Sequence, residues 1–243
     1  MAAVVVYHLW PDVVPGGFIG VDVFFVLSGF LLSALMVREV ESRGRFDIGR
    51  FFVRRVRRLL PATLLVLLAL AVYAVTWAEA AELQRLREHA LGALTYTINW
   101  LFIVDGTTYT DVVVGASPLR HMWSLAIEEQ FYVVWPLAFL AGMTLLRSLK
   151  RLAWVTLAVA AGSVVLMWFL FDPLNDPSRV YYGTDTRAAG LLVGVVLAAV
   201  WRPWAFRLKA TPRGVRVLDG LGVVSLGIVV AFLFFVSEFS SFL

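Results

Sequence analysis

Ionisable side chains inside long apolar stretches are the residues of this sequence that could do chemistry. Glu128 and Glu129 are adjacent in one such stretch, Asp22 follows a glycine-rich turn at the start of another, and Asp185 and Arg187 lie near the start of a third. A charged group is costly in hydrocarbon, so each is a functional candidate. Adjacent helical residues point about 100° apart, so we expect Glu128 and Glu129 to find separate partners. Asp22 could instead cap its helix, and Asp185 and Arg187 could form structural ion pairs.

His8 lies in a short apolar stretch near the start of the sequence and could act as a general base. An imidazole has a pKa near about 6.5, so it can accept a proton from a hydroxyl group at neutral pH. A carboxylate such as Glu128 could orient that imidazole or stabilise its cation. A solvated histidine at a membrane interface is the alternative interpretation. The sequence has no cysteine, and its 3 histidines lack metal-ligand spacing, so we expect no metal site.

A cluster of arginines precedes one of the apolar stretches, with Arg54, Arg55, Arg57 and Arg58 close together. Such a cluster commonly anchors the cytoplasmic end of a membrane helix. Guanidinium groups at this density also suit a polyanion such as phosphate. We expect Pro61 to be tolerated because it falls in the first turn of the following helix.

The elements that position these residues are predicted to be membrane helices. Hydrophobic residues make up 60% of the chain, charged residues only 16%, and the mean hydropathy is +0.83. A water-soluble domain carries roughly 25% charged residues, so the bilayer must solvate much of this chain. The fold class is therefore predicted as all-α, a polytopic transmembrane helix bundle. The full-length candidate spans are Phe18 to Val37, Leu59 to Trp77, Met122 to Leu146, Leu152 to Phe171, Val180 to Trp201 and Val217 to Val236, with weaker stretches at Ala2 to Leu9 and Ala90 to Val104.

The basic residues between the spans predict the topology. They gather at Arg38 to Arg58, Arg147 to Arg151 and Arg202 to Arg216, which we expect to be cytoplasmic. This pattern holds only if Ala90 to Val104 does not cross the membrane, and we favour that interpretation. The candidate residues His8, Asp22, Glu128, Glu129, Asp185 and Arg187 then all belong to the outer half of the membrane.

Four stretches of the chain resemble the acyltransferase-3 family of bacterial membrane O-acyltransferases, which O-acetylate surface polysaccharides, peptidoglycan and some antibiotics. They occur in the order of the family and cover nearly the whole chain. The stretches are Tyr7 to Leu9 with Gly17 to Leu32, Phe52 to Ala62, Trp123 to Tyr132, and Tyr181 to Ala188.

The resemblance implies a site built from these stretches. It implies a catalytic role for His8, to which we add Glu128 and Glu129 as catalytic candidates. It also places the Arg-x-x-Arg pattern that binds the acyl-CoA donor at Arg55 and Arg58, although Arg54 and Arg57 fit the same spacing. The supporting residues are Asp22, Ser28, Trp123, Ser124, Tyr132, Asp185 and Arg187.

The resemblance also implies a reaction and a location. The donor would be a cytoplasmic acyl-CoA, a substrate rather than a bound cofactor, and the acyl group typically acetyl. The acceptor would be a hydroxyl, often on a sugar or a cell-surface glycan, and the location the bacterial inner membrane. We expect one domain over residues 1–243, with an incomplete first helix and without the C-terminal helices of the family.

Two other classes of function stay open from the sequence. A transporter or channel without chemistry would also carry intramembrane acids and basic loops. An inactive, truncated remnant of an acyltransferase is the other. For an active enzyme we favour direct transfer to the acceptor over an acyl-enzyme formed on Ser28, because a serine in this context more often serves helix packing.

Overall fold

The computed structural model describes residues 2–10, 12–108, 117–172, 176–202, 204 and 212–236. Throughout these ranges the secondary structure is α-helical and no strand occurs, which confirms the predicted fold class. The helices are α1 (Ala2–Leu9), α2 (Ile19–Arg43), α3 (Ile48–Thr76), α4 (Ala80–Leu94), α5 (Ile98–Val104), α6 (Met122–Leu146), α7 (Leu149–Leu170), α8 (Ser178–Tyr182), α9 (Thr184–Val200) and α10 (Pro212–Phe235).

Among the described residues, 5 helices are long and apolar enough to cross a membrane. They are α2, α3, α6, α7 and the part of α10 from Gly214 to Phe235. The predicted multi-pass membrane protein is therefore confirmed at this level. The remaining predicted span, Val180 to Trp201, contains α9, whose 17 residues place it at the short end of the range for a membrane helix.

The arginine cluster lies on a helix and not in a loop, which corrects the predicted start of the second span at Leu59. α3 begins at Ile48, where the Asp47 side chain accepts a hydrogen bond of 2.9 Å from the Arg50 backbone nitrogen and caps the helix. Pro61 consequently falls inside α3 rather than in its first turn. The preceding helix α2 ends at Gly44, whose φ of 71° is the left-handed conformation that glycine adopts most readily.

Two predicted apolar elements are interrupted. The prediction of a continuous span from Val180 to Trp201 is wrong, because the chain is extended at Gly183 between α8 and α9. The stretch from Ala90 to Val104 is also broken, at Tyr96, which has a φ of 54°. Its pieces α4 and α5 have 15 and 7 residues. Each is too short to cross a bilayer alone, while the topology itself stays a prediction.

α9 packs between α2 and α7 and forms the centre of the bundle. α2 and α9 run in the same direction, since Asp22 meets Arg187 at one end and Val37 and Ala199 line a common small cavity at the other. Their backbones are in close contact, because a side chain at Gly29 would collide with the Leu191 carbonyl group. Such glycine-mediated contact is typical of membrane helices and fixes the lateral position of α2.

Candidate active site

Glu128 is the centre of a buried polar cluster. The hydroxyl groups of Ser28 and Tyr132 donate to the same Glu128 oxygen, Oε1, over 2.5 and 2.6 Å. Glu128 is only 5% exposed, and Ser28 and Tyr132 are buried with it. Tyr132 lies one helical turn beyond Glu128 on α6, whereas Ser28 is brought in by the packing of α2. A buried carboxylate that accepts a hydrogen bond from a hydroxyl group can also accept its proton. Glu128 and the hydroxyl groups bound to it could therefore act in acid–base chemistry.

Glu129 faces a different partner, as the angular separation of adjacent helical residues predicts. Two nitrogens of the Arg55 guanidinium group donate to the two Glu129 carboxylate oxygens, the Nε bond being 3.1 Å long. The same guanidinium carbon lies 3.1 Å from the centre of the Tyr132 ring. Arg55 therefore compensates a buried negative charge and contacts the phenol that donates to Glu128.

Arg55 also lines a cavity of about 690 Å³ between α2 and the start of α3. This volume lies in the range of small-molecule and cofactor sites. The arginines Arg38, Arg43, Arg54 and Arg58 line the same cavity, with Glu39 as the acidic residue among its lining. Cations in this number make the cavity suited to a ligand with several negative charges. Of the two predicted donor-binding arginines, Arg58 lines the cavity, and Arg55 lines it while paired with Glu129.

The remaining predicted ion-pair residues hold helix ends together. Arg187 donates to Asp22 over 3.1 Å and lies above the Tyr181 ring, which ties α9 to α2. Asp185 instead accepts two hydrogen bonds, of 3.0 and 2.7 Å, from Arg179 of α8. Asp185 and Arg187 therefore form ion pairs, as the alternative to a functional role for these two residues predicted. The Asp22 side chain does not cap α2.

Trp123 and Ser124 precede Glu128 on α6, and each contacts other groups. Trp123 is buried among aromatic rings, with its centroid 4.7 Å from that of Tyr181. Ser124 donates over 3.4 Å to the backbone carbonyl of His121. His8 belongs to the helical backbone of α1, but its side chain lies outside the described part of the structure, so its catalytic role stays a prediction.

A second buried polar cluster was not predicted from the sequence. His89 is 1% exposed, and its Nδ1 lies 2.8 Å from the Ser117 hydroxyl oxygen, while Nε2 lies 3.6 Å from an Asp105 carboxylate oxygen. Burial lowers the pKa of His89 below its ordinary value, although Asp105 acts in the opposite direction. His89 lies three residues after Leu86 and four before Ala93, both of which are buried on α4. This helical spacing was the sequence signal for a histidine that faces the interior.

Gln130 of α6 forms hydrogen bonds with both interruptions of the helical structure, the one between α4 and α5 and the one between α8 and α9. Its amide nitrogen donates to the Tyr96 carbonyl over 2.7 Å and to Asn99 over 2.9 Å. Its amide oxygen accepts from the Thr184 hydroxyl over 2.6 Å, at the start of α9. The interruptions of α4–α5 and α8–α9 are thereby fixed two residues from Glu128.

Fold and site together define a multi-pass helical membrane protein with buried carboxylates beside an arginine-lined cavity. Across the described residues, no group of three or more histidine or acidic side chains could hold a metal ion. The family described as "Acyltransferase domain" matches residues 1–242. The chain therefore belongs to this acyltransferase family, which confirms the resemblance and favours an enzyme over the transporter alternative.

Proteins of three bacteria show the relationship in detail. The chain is 40% identical over 242 residues to the putative peptidoglycan O-acetyltransferase YrhL of Bacillus subtilis, covering 99% of this chain and 38% of that protein. It is 40% identical over 242 residues to the peptidoglycan O-acetyltransferase OatA of Listeria monocytogenes, covering 99% of this chain and 39% of OatA. A putative O-acetyltransferase of Staphylococcus aureus is 37% identical over 235 residues, covering 96% of this chain and 38% of that protein.

The chain thus spans about two fifths of the length of these curated relatives. No solved structure matches the chain.

Proposed function

We propose that this chain transfers an acetyl group from a cytoplasmic acetyl-CoA to a hydroxyl group of peptidoglycan, in the bacterial inner membrane. The observation that carries the proposal is the continuity between the arginine-lined cavity and the Glu128 cluster. Arg55 belongs to both, because it lines the cavity and contacts the Tyr132 ring whose hydroxyl donates to Glu128.

The cavity supports a donor with several phosphate groups. Coenzyme A carries a diphosphate and a further phosphate, and guanidinium groups bind such oxygens through charge-assisted, often bidentate hydrogen bonds. With the phosphates held at Arg54 and Arg58, the thioester arm would extend past Leu32 towards Ser28, one turn further along α2. The acyl group would thereby approach the buried carboxylate from the arginine-lined side.

The transfer itself requires a base and no redox chemistry. The acceptor oxygen attacks the thioester carbonyl carbon, the carbon–sulfur bond breaks, and the proton lost by the hydroxyl is passed to the coenzyme A thiolate. Glu128 is positioned to hold that proton, and His8 is the second candidate for the same role. Ser28 donates to Glu128 and would keep the carboxylate oriented, and direct transfer to the acceptor is the route that we propose.

The acceptor is inferred from the relatives. OatA of Listeria monocytogenes and YrhL of Bacillus subtilis are named as acting on peptidoglycan, at 40% identity in each case. Because the matched part of each relative is about two fifths of its length, the acceptor specificity of this chain is part of the proposal.

The donor assignment can be tested by comparing acetyl-CoA with S-acetyl-pantetheine, which has the same thioester arm but no phosphate. Binding of each compound to the purified chain would be measured by titration calorimetry, and transfer to a soluble peptidoglycan fragment by isotopic label. We expect acetyl-CoA to bind at least tenfold more tightly, because a charge-assisted hydrogen bond contributes about 1.5–3 kcal/mol. Equal binding of the two compounds would contradict phosphate recognition, and absence of labelled ester would contradict transfer.

A further inference from the structure

The arginine-lined cavity extends beyond the arginines that the proposed function assigns to the donor phosphates. Phe46, in the turn between α2 and α3, and Phe51, in the first turn of α3, line this part of it, which we call the turn end. With the phosphates at Arg54 and Arg58 and the thioester arm directed towards Ser28, the turn end lies on the other side of the phosphates. The part of coenzyme A on that side of its diphosphate is the adenosine.

One face of α3 places an aromatic ring directly next to the arginines. Four of the cavity-lining residues have the spacing i, i+3, i+4 and i+7, which puts side chains on one face of a helix; they are Phe51, Arg54, Arg55 and Arg58. Side chains three residues apart are about 5–6 Å from one another at Cβ, so Phe51 adjoins Arg54. Phe52 is rotated by about 100° and does not line the cavity. A ligand with a phosphate at Arg54 therefore has its next group beside the Phe51 ring.

The turn end carries less positive charge than the part of the cavity beside Arg54 and Arg58. The Arg43 guanidinium group at the end of α2 lies 3.4 Å from a carboxylate oxygen of Glu39, which is the acidic residue of the lining. This ion pair offsets the charge of Arg43 next to the turn. An uncharged polar ring attached to the phosphates matches this distribution of charge along the cavity.

The Phe51 ring is supported from behind by a second ring. Phe46 is 9% exposed and belongs to the hydrophobic core, and its ring centroid lies 5.7 Å from that of Phe51. Phe51 itself is only partly buried and contributes to the cavity wall. An aromatic side chain held in this way, next to guanidinium groups, is the combination on which nucleobases stack in nucleic-acid-binding proteins.

We propose that the adenine base of the donor stacks on Phe51 at the turn end of the cavity; this rests on the proposed function, in which coenzyme A is the donor. The cavity lining then follows the order of groups in coenzyme A, with the aromatic ring first, the arginines next, and Leu35 and Leu32 along the thioester arm. Phe51 is thereby a specificity-determining residue. It selects a nucleotide-bearing thioester over acetyl phosphate or an acyl group on a phosphopantetheine carrier, neither of which has a base.

The test compares adenosine 3′,5′-bisphosphate with the same sugar bisphosphate without a base, by calorimetric titration of the full chain in detergent. Acetyl-CoA is titrated beside them. Phe51→Leu removes the aromatic face, and Phe52→Leu is the matched control, because Phe52 is the next residue of α3 and is also partly buried. Phe51→Met replaces the first variant if that variant melts below the control, and Phe51→Trp restores an aromatic face.

We expect the wild type to bind the nucleotide at least about fivefold more tightly than the base-free compound, the lower end of the effect of stacking one base. Phe51→Leu should remove this difference by weakening nucleotide binding alone, while Phe52→Leu and Phe51→Trp keep it. Equal binding of the two bisphosphates, or a difference that Phe51→Leu and Phe51→Met leave unchanged, would overturn the inference although acetyl-CoA binds.

The remaining outcomes separate this inference from the proposed function. If neither acetyl-CoA nor the nucleotide binds, the donor assignment is wrong and the adenine site with it. Base-dependent binding that requires Phe51, in a preparation that transfers no acetyl group, would support the adenine site and contradict transfer only.

Discussion

Two buried serine–base pairs occur in this protein, and they differ in what surrounds them. Ser28 donates to Glu128 at the junction of α2 and α6, while Ser117 lies 2.8 Å from His89 beside α4. The first pair is connected through Tyr132 and Arg55 to a cavity lined by arginines. In the second pair, the Ser117 oxygen also accepts from the Leu119 backbone nitrogen over 3.2 Å, which is a turn-stabilising contact. Similar groups thus lie next to an arginine-lined cavity at one place and stabilise a turn at the other.

The largest effect should follow from removing the charge of the first pair. We expect Glu128→Gln to lower the rate of acetyl transfer by about 10²- to 10⁴-fold, because the amide keeps the shape of the side chain but cannot accept the proton. Donor affinity should change little, since Glu128 does not line the arginine cavity. Single-turnover transfer and acetyl-CoA binding would be measured on the same preparation. Normal turnover in this variant would show that Glu128 is not the general base and would leave His8 as the candidate.

Loss of Arg55 should affect both stability and donor binding. Arg55→Ala leaves Glu129 as an uncompensated buried charge, which typically costs about 3–5 kcal/mol. In the double variant with Glu129→Gln, we expect most of the thermal stability to return while acetyl-CoA affinity stays low. Thermal unfolding and calorimetric titration separate the two effects. Full recovery of donor binding in the double variant would show that Arg55 is a structural partner only.

Arg58 should contribute to donor binding alone. We expect Arg58→Ala to weaken acetyl-CoA binding by about tenfold or more, the equivalent of one charge-assisted hydrogen bond, without a change in melting temperature. Arg57→Ala provides the control, because Arg57 lies on the same helix and does not line the cavity. Comparable losses in the two variants would mean that the cluster acts through its overall charge and not through this cavity.

The smallest effect is expected at the second serine–base pair. Because burial lowers the pKa of His89, the unfolded chain takes up the proton at a higher pH than the folded protein does. The stability that the neutral side chain provides is therefore present above the ordinary pKa of histidine and is lost as pH falls below it. The charged neighbours that influence His89 are Asp105, Arg85 and Glu88.

The measurement for this pair is the melting temperature between pH 8 and pH 5.5. A His89→Gln variant can still bond to Ser117 but does not titrate, so its profile should be flatter than that of the wild type. Acetyl transfer at pH 8 should be retained, in contrast to Glu128→Gln. Loss of transfer at that pH would place the second pair in the reaction and remove the distinction between the two clusters.

The sequence was sufficient for the helical fold, and it singled out Ser28, Glu128 and Tyr132 as candidates, but it did not predict their pairing. The bounds predicted for Met122 to Leu146 coincide with α6, because the apolar stretch there is bounded by polar residues. The pairs Ser28–Glu128 and Arg55–Glu129 depend on how distant helices pack, which hydropathy does not describe. Arg179 was overlooked as the partner of Asp185 because it lies outside the predicted spans.

The chain breaks show a second limit of hydropathy. α8 and α9 lie almost entirely within one predicted span, Val180 to Trp201, yet the chain is extended at Gly183. The bonds that stabilise this break come from Gln130 and Asn99, on helices far away in sequence. A sequence pattern with a helical period has no information about such partners, so the predicted span began too early.

The glycine contact between α2 and α9 restricts which parts of the protein can move during turnover. With the Leu191 carbonyl against Gly29 and the Val26 carbonyl against Gly194, neither helix can slide or rotate without a backbone collision. α3, by contrast, buries only Thr63 and Leu70 among its described residues. Any movement that admits a bulky donor is therefore expected at α3 rather than at α2, within the limit that the Arg55–Glu129 pair sets, while Ser28 stays in place on α2.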